Sequence, residues 1–266
     1  MNHDEKVLSF LEKRLTRNGL FVEVGESAPT VESIRFGLDT MASIDKEVDE
    51  SVRRSSAAYL LECLLPDGGF AISARSTQSK LSSTYYAVRL FELKRVDGGL
   101  PDRHRTSEWI IGQLFDGAGI AESVNVDELY YAARALQLMA APELDHSRID
   151  TVVRYIKRCC SPAGGFGLSP GAPADIERTY CCLHMLQTLG HLHDPEKHAK
   201  WVSSCIIGGQ VYWDPSGAKV SPATFYWGLR AASIAGAEVA WSDVASAIRN
   251  FEKEDGGYGD EAGSQL

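Results

Sequence analysis

No apolar run in this chain approaches the ~18–20 residues that a membrane span needs, so no integral membrane segment is expected. Positive charge is scarce: 27 Lys and Arg stand against 36 Asp and Glu, a net −9, with no basic cluster. That balance excludes nucleic acid and anionic membrane surfaces as expected partners. The start, Met1-Asn-His-Asp-Glu-Lys, has neither the basic opening nor the apolar core of a secretory signal. The six cysteines form no CxxC framework; they include the adjacent pairs Cys159-Cys160 and Cys181-Cys182, with Cys63 and Cys205 single. Neighbouring cysteines rarely bridge each other, so reduced thiols and a cytoplasmic location are expected. Strand-like alternation never lasts beyond a few residues, which leaves an all-α reading.

What the sequence has in abundance is a repeated phrase. Gly-aromatic turns occur at 19–21, 67–70, 116–120, 163–166, 208–213 and 255–258. Their apolar residues fall at 21, 70, 120, 166, 213 and 258, with intervals of 49, 50, 46, 47 and 45. A period of this length marks a repeat architecture. A second shared element follows each of the first five turns. The copies are Val31-Glu-Ser-Ile, Ser82-Ser-Thr-Tyr, Asp127-Glu-Leu-Tyr, Glu177-Arg-Thr-Tyr and Pro222-Ala-Thr-Phe.

These elements open helices that are apolar nearly all round, as in Tyr130, Ala133, Leu136 and Met139, which suits a buried position. Between them lie amphipathic helices, expected over 45–65, 104–115, 147–160, 196–207 and 242–253. Ile149, Val152, Val153 and Ile156 make the apolar stripe of one, with Arg148, Arg154, Lys157 and Arg158 outside. Such units cannot bury their own faces and need neighbours. The expected architecture is therefore a single domain over 1–266, with inner and outer helices alternating around a ring of five to six repeats. Inner helices starting at Thr84, Leu129, Thr179 and Thr224 would bring their positive ends together. Tyr85, Tyr86, Tyr130, Tyr131, Tyr180, Phe225, Tyr226 and Trp227 would then line an aromatic cavity able to stabilise a cation.

Gly-Gly-Phe turns followed by Thr-Tyr helices at this period resemble the α/α toroid shared by protein prenyltransferase β subunits and the squalene and class II terpene cyclases. The resemblance covers roughly residues 19–260. It implies a central aromatic pocket and an apolar, isoprenoid-type small molecule as ligand. The sixth turn is followed by only seven residues, 260–266, with no inner helix. The expectation is that the first helix, over 1–17, closes the ring, or that a partner subunit or second copy does.

Three comparisons within that resemblance narrow the chemistry. A prenyltransferase zinc site would need Asp and Cys where this chain has Pro222 and Thr224, so no metal and no cofactor are expected. His191, His193 and His198 are the lone His cluster, expected in an inter-helix loop. Of the family's four diphosphate-binding cations, Lys219 alone is matched; Ser216, Asp175 and Asp127 occupy the other places, and two acids there repel a diphosphate. The class II cyclase motif Asp-x-Asp-Asp-Thr is matched in part by Asn125-Val-Asp127-Glu128-Leu129 and by Asp175-Ile-Glu177-Arg178-Thr179. Paired carboxylates in a dry cavity can keep one protonated, as a general acid requires.

The resulting expectation is a terpene-cyclase-like enzyme that protonates an alkene without a metal. Asp127 is the leading acid, assisted by Glu128 and oriented by Asn125. Asp175 and Glu177 form a second pair. The cation would pass Tyr130, Tyr180, Phe225 and Trp227. Two other readings stand beside it: a non-catalytic toroid that binds a lipid or a partner, and a zinc-independent prenyltransferase using Lys219.

Overall fold

A computed structural model describes residues 3–117, 119–141 and 144–259. Ala118, in the third turn, and residues 260–266, after the sixth, lie outside the described residues. Among the described residues the chain is a succession of helices: α1 His3–Glu12, α2 Val31–Ser43, α3 Glu50–Cys63, α4 Leu81–Glu92, α5 Arg103–Leu114, α6 Val126–Leu138, α7 His146–Cys159, α8 Ile176–Thr188, α9 Pro195–Ser204, α10 Pro222–Ala235 and α11 Trp241–Arg249. The strands are two residues long and belong to the turns. Two compact units divide the chain. The first holds Met1–Asp116 and Tyr131–Glu143, the second Gly117–Tyr130 and Leu144–Leu266.

Burial separates the helices into the two expected kinds. In α8, Ile176, Thr179, Tyr180, Cys181, Cys182, Leu183, Met185 and Leu186 are all buried. Next to it in sequence, α7 buries Val152, Val153, Ile156 and Cys159, one stripe, and leaves its charged residues outside. α4 and α5 show the same contrast in the first unit.

The repeated phrase is explained by three physical ties. The turn glycine adopts a left-handed conformation, with φ +101° at Gly68 and +113° at Gly164. A Cβ there would stand 2.8 Å from the Arg105 carbonyl on α5 and 2.7 Å from the Lys197 carbonyl on α9, so backbone shape and close approach to these amphipathic helices both demand glycine. The turn's apolar residue is then driven inward: Phe70 and Phe166 are 0% and 1% exposed, a burial that contributes about 2–3 kcal/mol each. Finally, the threonine of the next helix ties it to the turn. The Phe70 amide donates to Thr84 Oγ1 and the Phe166 amide to Thr179 Oγ1, both at 2.9 Å. Ser33 and Thr224 hydroxyls make the corresponding bond to the Phe21 and Val211 carbonyls. In the fifth turn the buried place belongs to Val211, two residues ahead of Trp213, because that turn is one residue shorter.

A further stitch runs from repeat to repeat. The first amide of a Thr-Tyr helix, which has no partner inside its own helix, donates to the next repeat's loop. Val31 bonds the Ile72 carbonyl, Val126 that of Leu168 and Ile176 that of Trp213.

Helix starts differ from expectation in an informative way. The Thr-Tyr helices begin two or three residues earlier, at Leu81, Val126, Ile176 and Pro222. Side chains cap two of them there: Asp175 Oδ1 accepts from the Arg178 amide, and Ser221 forms a capping box with Thr224. The motif carboxylates therefore sit within the first helical turn. α9 ends at Ser204, short of residue 207, because Ile206–Ile207 pairs antiparallel with Gln210–Val211. α11 starts at Trp241 after Ala240, and α3 starts at Glu50, later than residue 45.

Candidate active site

In the second unit the start of α8 is fixed from both sides. Phe166–Gly167 pairs antiparallel with Ala174–Asp175, in a register that sets Asp175 opposite Phe166. Asp175 is buried, and its side chain caps the helix through the Arg178 amide at 2.9 Å. The start of α6 is capped differently. Asn125 Oδ1 accepts from the amides of Asp127 (2.9 Å) and Glu128 (3.1 Å), while Glu128 Oε2 accepts from the Asn125 amide at 3.0 Å. Asn125 and Glu128 thus form a reciprocal cap. Asp127 is left to make contacts elsewhere.

Its partner is Arg178. The guanidinium donates to Asp127 through Nε (3.0 Å to Oδ1) and Nη2 (2.5 Å to Oδ2), a two-pronged pair. The remaining nitrogen, Nη1, donates to Glu177 Oε2 at 2.9 Å and lies 3.7 Å from Asp175 Oδ1. One cation therefore serves three carboxylates, and its own deprotonation is pushed further out of reach: burial pulls the other way, but the Asp127 bonds and the Glu177 charge outweigh it. Arg178 also lies 5.4 Å from the centre of the Trp213 ring, and Lys219 Nζ lies 5.0 Å from it.

The three acids do not share this environment equally. Burial pushes the Asp175 carboxyl up to about 6, opposed by the Arg178 amide and charge and reinforced by Asp127. Burial also raises Glu177, with Arg178 and Lys219 opposing and Asp127 and Asp175 adding to the rise. Counting Asp127, Asp175 and Glu177 against Arg178 and Lys219 leaves one negative charge, −3 + 2 = −1. Such a group of half-dry acids is where a proton can be held.

Of the expected aromatic wall, Tyr130, Tyr180 and Trp227 come together in this unit. Tyr180 meets Tyr130 edge-on at 5.8 Å between centroids, with the two hydroxyls 3.3 Å apart, and lies 5.5 Å from Trp227. Tyr226 and His184 join the group, at 4.5 Å from Trp227 and 5.8 Å from Tyr180 respectively. Phe225 is not among them. It is fully buried against Phe251 at 5.9 Å, filling the space between α10 and the chain after α11. Tyr85 and Tyr131 belong to the first unit, where they stack at 5.7 Å, and Tyr86 donates a hydrogen bond to Tyr131 at 3.3 Å.

Two residues escaped sequence reasoning. His198 is not in a loop: it lies in α9, is buried, has its Nδ1 2.6 Å from the Gly164 carbonyl and stacks on Phe166 at 5.1 Å. Thr106 makes the equivalent bond to the Gly68 carbonyl at 2.9 Å, so His198 is a structural tie. Arg178 occupies the place of an acid in the cyclase motif and turned out to be the hub. The signal that finds it is spacing: Asp127 and Arg178 are 51 residues apart, one repeat period, as are Tyr130 and Tyr180 at 50.

Among the described residues no group of three or more His, Cys, Asp or Glu is arranged to hold a metal ion, and no helix is long and apolar enough to cross a membrane. All six cysteines are free thiols, and burial raises every one, Cys63 and Cys205 to about 12, which makes them poor nucleophiles. A cleft of about 700 Å³ opens beside the capped start of α6, walled by Ile120, Val124, Asn125, Arg154, Tyr155 and Arg158. On its wall the Tyr155 hydroxyl donates to the Val124 carbonyl at 2.8 Å.

With this geometry in view, comparison with known proteins places the chain. Residues 3–209 match the prenyltransferase alpha-alpha toroid domain, well over half of the sequence. The chain belongs to that family. The α/α toroid fold also appears in solved structures. Candida albicans protein geranylgeranyltransferase-I, solved with GGPP, is 15% identical over 88% of this toroid chain and 78% of its own, with a TM-score of 0.67. A protein from Actinoplanes is 16% identical over 97% of this chain and 83% of its own, at 0.63. The type II terpene cyclase MstE from Scytonema is 17% identical over 76% of this chain and 61% of its own, at 0.54. No curated protein sequence matches the toroid chain.

Proposed function

We propose that this toroid protein is an isoprenoid-handling enzyme of the type II cyclase kind, in which a buried carboxyl of the second unit donates a proton to an alkene. The observation that carries the reading is Asp175: buried, raised to about 6, and set among acids whose compensating cation is already engaged. Arg178 engages Asp127 through two hydrogen bonds, so Asp127 orients the site while Asp175 carries the proton. In the reaction the Asp175 O–H bond breaks and a C–H bond forms at one alkene carbon, leaving a carbocation at the other and a carboxylate on Asp175. The faces of Tyr130, Tyr180 and Trp227 stabilise the cation, about 0.5–2 kcal/mol per ring. Loss of a proton to a carboxylate, with Glu177 the candidate, returns an alkene and balances the charge. The family match and the GGPP and geranylgeranyl dihydroxybenzoate complexes of its structural relatives support an isoprenoid substrate.

The test is incubation with geranylgeranyl compounds, products being followed by gas chromatography and mass spectrometry. Asp175→Asn, which keeps the helix cap, should lower turnover by at least a thousandfold while the chain still folds cooperatively. Turnover retained in Asp175→Asn but lost in Asp127→Asn would transfer the proton-donor role to Asp127. No cyclised product from any geranylgeranyl compound, together with binding of one, would favour the non-catalytic lipid-binding reading.

A further inference from the structure

The first unit contains a charge cluster that the proposed reaction does not use. Asp39 on α2 receives one hydrogen bond, from Arg89 Nε on α4 at 2.8 Å. Two more guanidiniums face the same carboxylate without bonding it: Arg35 Nη1 at 3.8 Å and Arg95 Nε at 3.9 Å. Both distances are too long for hydrogen bonds. Asp39 Oδ1 and the Nε atoms of Arg35 and Arg95 are buried and have no hydrogen-bond partner. Buried donors in that condition are costly, and each calls for an explanation.

The surrounding acids do not supply one. Glu92, next along α4, is bonded to Arg103 at 2.6 Å, and Asp97 is paired with Arg53 at 3.0 Å. Three arginines against Asp39 leave a local charge of +3 − 1 = +2. Counting Glu32, whose charge reaches Tyr86, still leaves +1 in a chain whose total is −9. Arg35 Cζ also lies over two rings, 3.6 Å from the Phe36 centre and 4.6 Å from that of Tyr86. A stacked guanidinium presents its N–H edge in a fixed direction, the geometry that suits planar oxyanions.

We propose that Arg35, Arg89 and Arg95, gathered on Asp39 beside Tyr86, bind an oxyanion, a carboxylate or a phosphate group, carried on a small molecule with an unsaturated or aromatic body. The oxyanion accepts from Arg35 and Arg95, whose Nε groups have no partner, while Arg89, bonded to Asp39 and Tyr85, supplies charge; the ligand's body lies against the Tyr85, Tyr86 and Tyr131 rings. This assignment stands independently of the proton-donor reading, since none of its residues belongs to the Asp175 cluster.

Titration calorimetry at low salt with two probes, benzoate and inorganic pyrophosphate, tests it on the full chain. Saturable binding of benzoate alone identifies a carboxylate ligand, and of pyrophosphate alone a phosphate one. Arg35→Gln should weaken binding at least tenfold, since charge-assisted bonds to the oxyanion are lost. Asp39→Asn should strengthen it severalfold by removing the competing carboxylate, an opposite sign that general destabilisation does not produce. Arg95→Gln, which leaves the Arg89–Asp39 bond in place, serves as a second weakening variant if Arg35→Gln folds poorly. Absence of saturable binding by both probes up to about 10 mM, or affinities indifferent to these substitutions, overturns the assignment.

Discussion

The two units carry charge clusters of opposite balance. In the first, one carboxylate, Asp39, faces three guanidiniums; in the second, one guanidinium, Arg178, faces three carboxylates. The scaffold around them is the same turn, tied by the same threonine, to the same kind of helix. The places differ too: Asp127 and Arg178 stand in the first turns of α6 and α8, whereas Asp39 lies well along α2 and Arg89 in the last turn of α4, so one scaffold gathers charge at either end of its buried helices. The opposite balance divides their chemistry, because carboxylates can take up protons near neutrality and arginine cannot give one up.

The sharpest way to probe that contrast is to remove each hub. Arg178→Leu strands three half-buried acids and should cost about 3–5 kcal/mol at pH 7.5 by urea denaturation. Near pH 5 the loss should shrink, as Asp175 and Glu177 take up protons. Asp39→Asn should cost about 2 kcal/mol with no such rescue between pH 5 and 8, since the arginines it leaves behind cannot neutralise. Equal acid rescue in both variants would break the comparison.

The shared scaffold predicts equal costs for equal changes. Gly68→Ala and Gly164→Ala should each lose about 2–4 kcal/mol, from a left-handed backbone and a carbonyl within 3 Å. A threefold disparity between them would mean that the two turns are not equivalent supports. Asp175 gives a smaller effect with a definite sign. Its folded value, about 6, is raised, so its stabilising contribution is complete at acid pH and disappears as pH rises through about 6. Relative to the native chain, Asp175→Asn should therefore gain about 2 kcal/mol between pH 4.5 and 7.5 in paired melting curves. The smallest change is Thr84→Val or Thr179→Val, about 1–2 kcal/mol each for an unsatisfied turn amide, read by hydrogen exchange at Phe70 and Phe166.

Much of the fold was legible because it is written repeatedly. Turn spacing, the alternation of fully apolar and amphipathic helices and the all-α class all follow from local patterns that recur. Individual registers were less so. The shorter fifth turn moves the buried residue from Trp213 to Val211, and side-chain caps start the Thr-Tyr helices earlier than their apolar runs do. The site was half legible. The acids at 127, 175 and 177 meet, as do Tyr130, Tyr180 and Trp227. What local patterns could not reveal is pairing across a repeat: Arg178 reaches Asp127 and Arg89 reaches Asp39 over 51 and 50 residues. Phe225 and His198 look like site residues by type, but volume and a buried carbonyl claim them for the core.

The threonine bond from helix to turn has a consequence for how such a protein can change over time. It fastens Phe166 to Thr179 on either side of positions 175–178 and makes no bond to those side chains, of which Asp175 caps the helix and Ile176 packs in the core. New reactivity can therefore be installed by rewriting one short stretch while its mounting stays untouched, so that inheritance of shape and invention of chemistry proceed on separate letters of the same repeat.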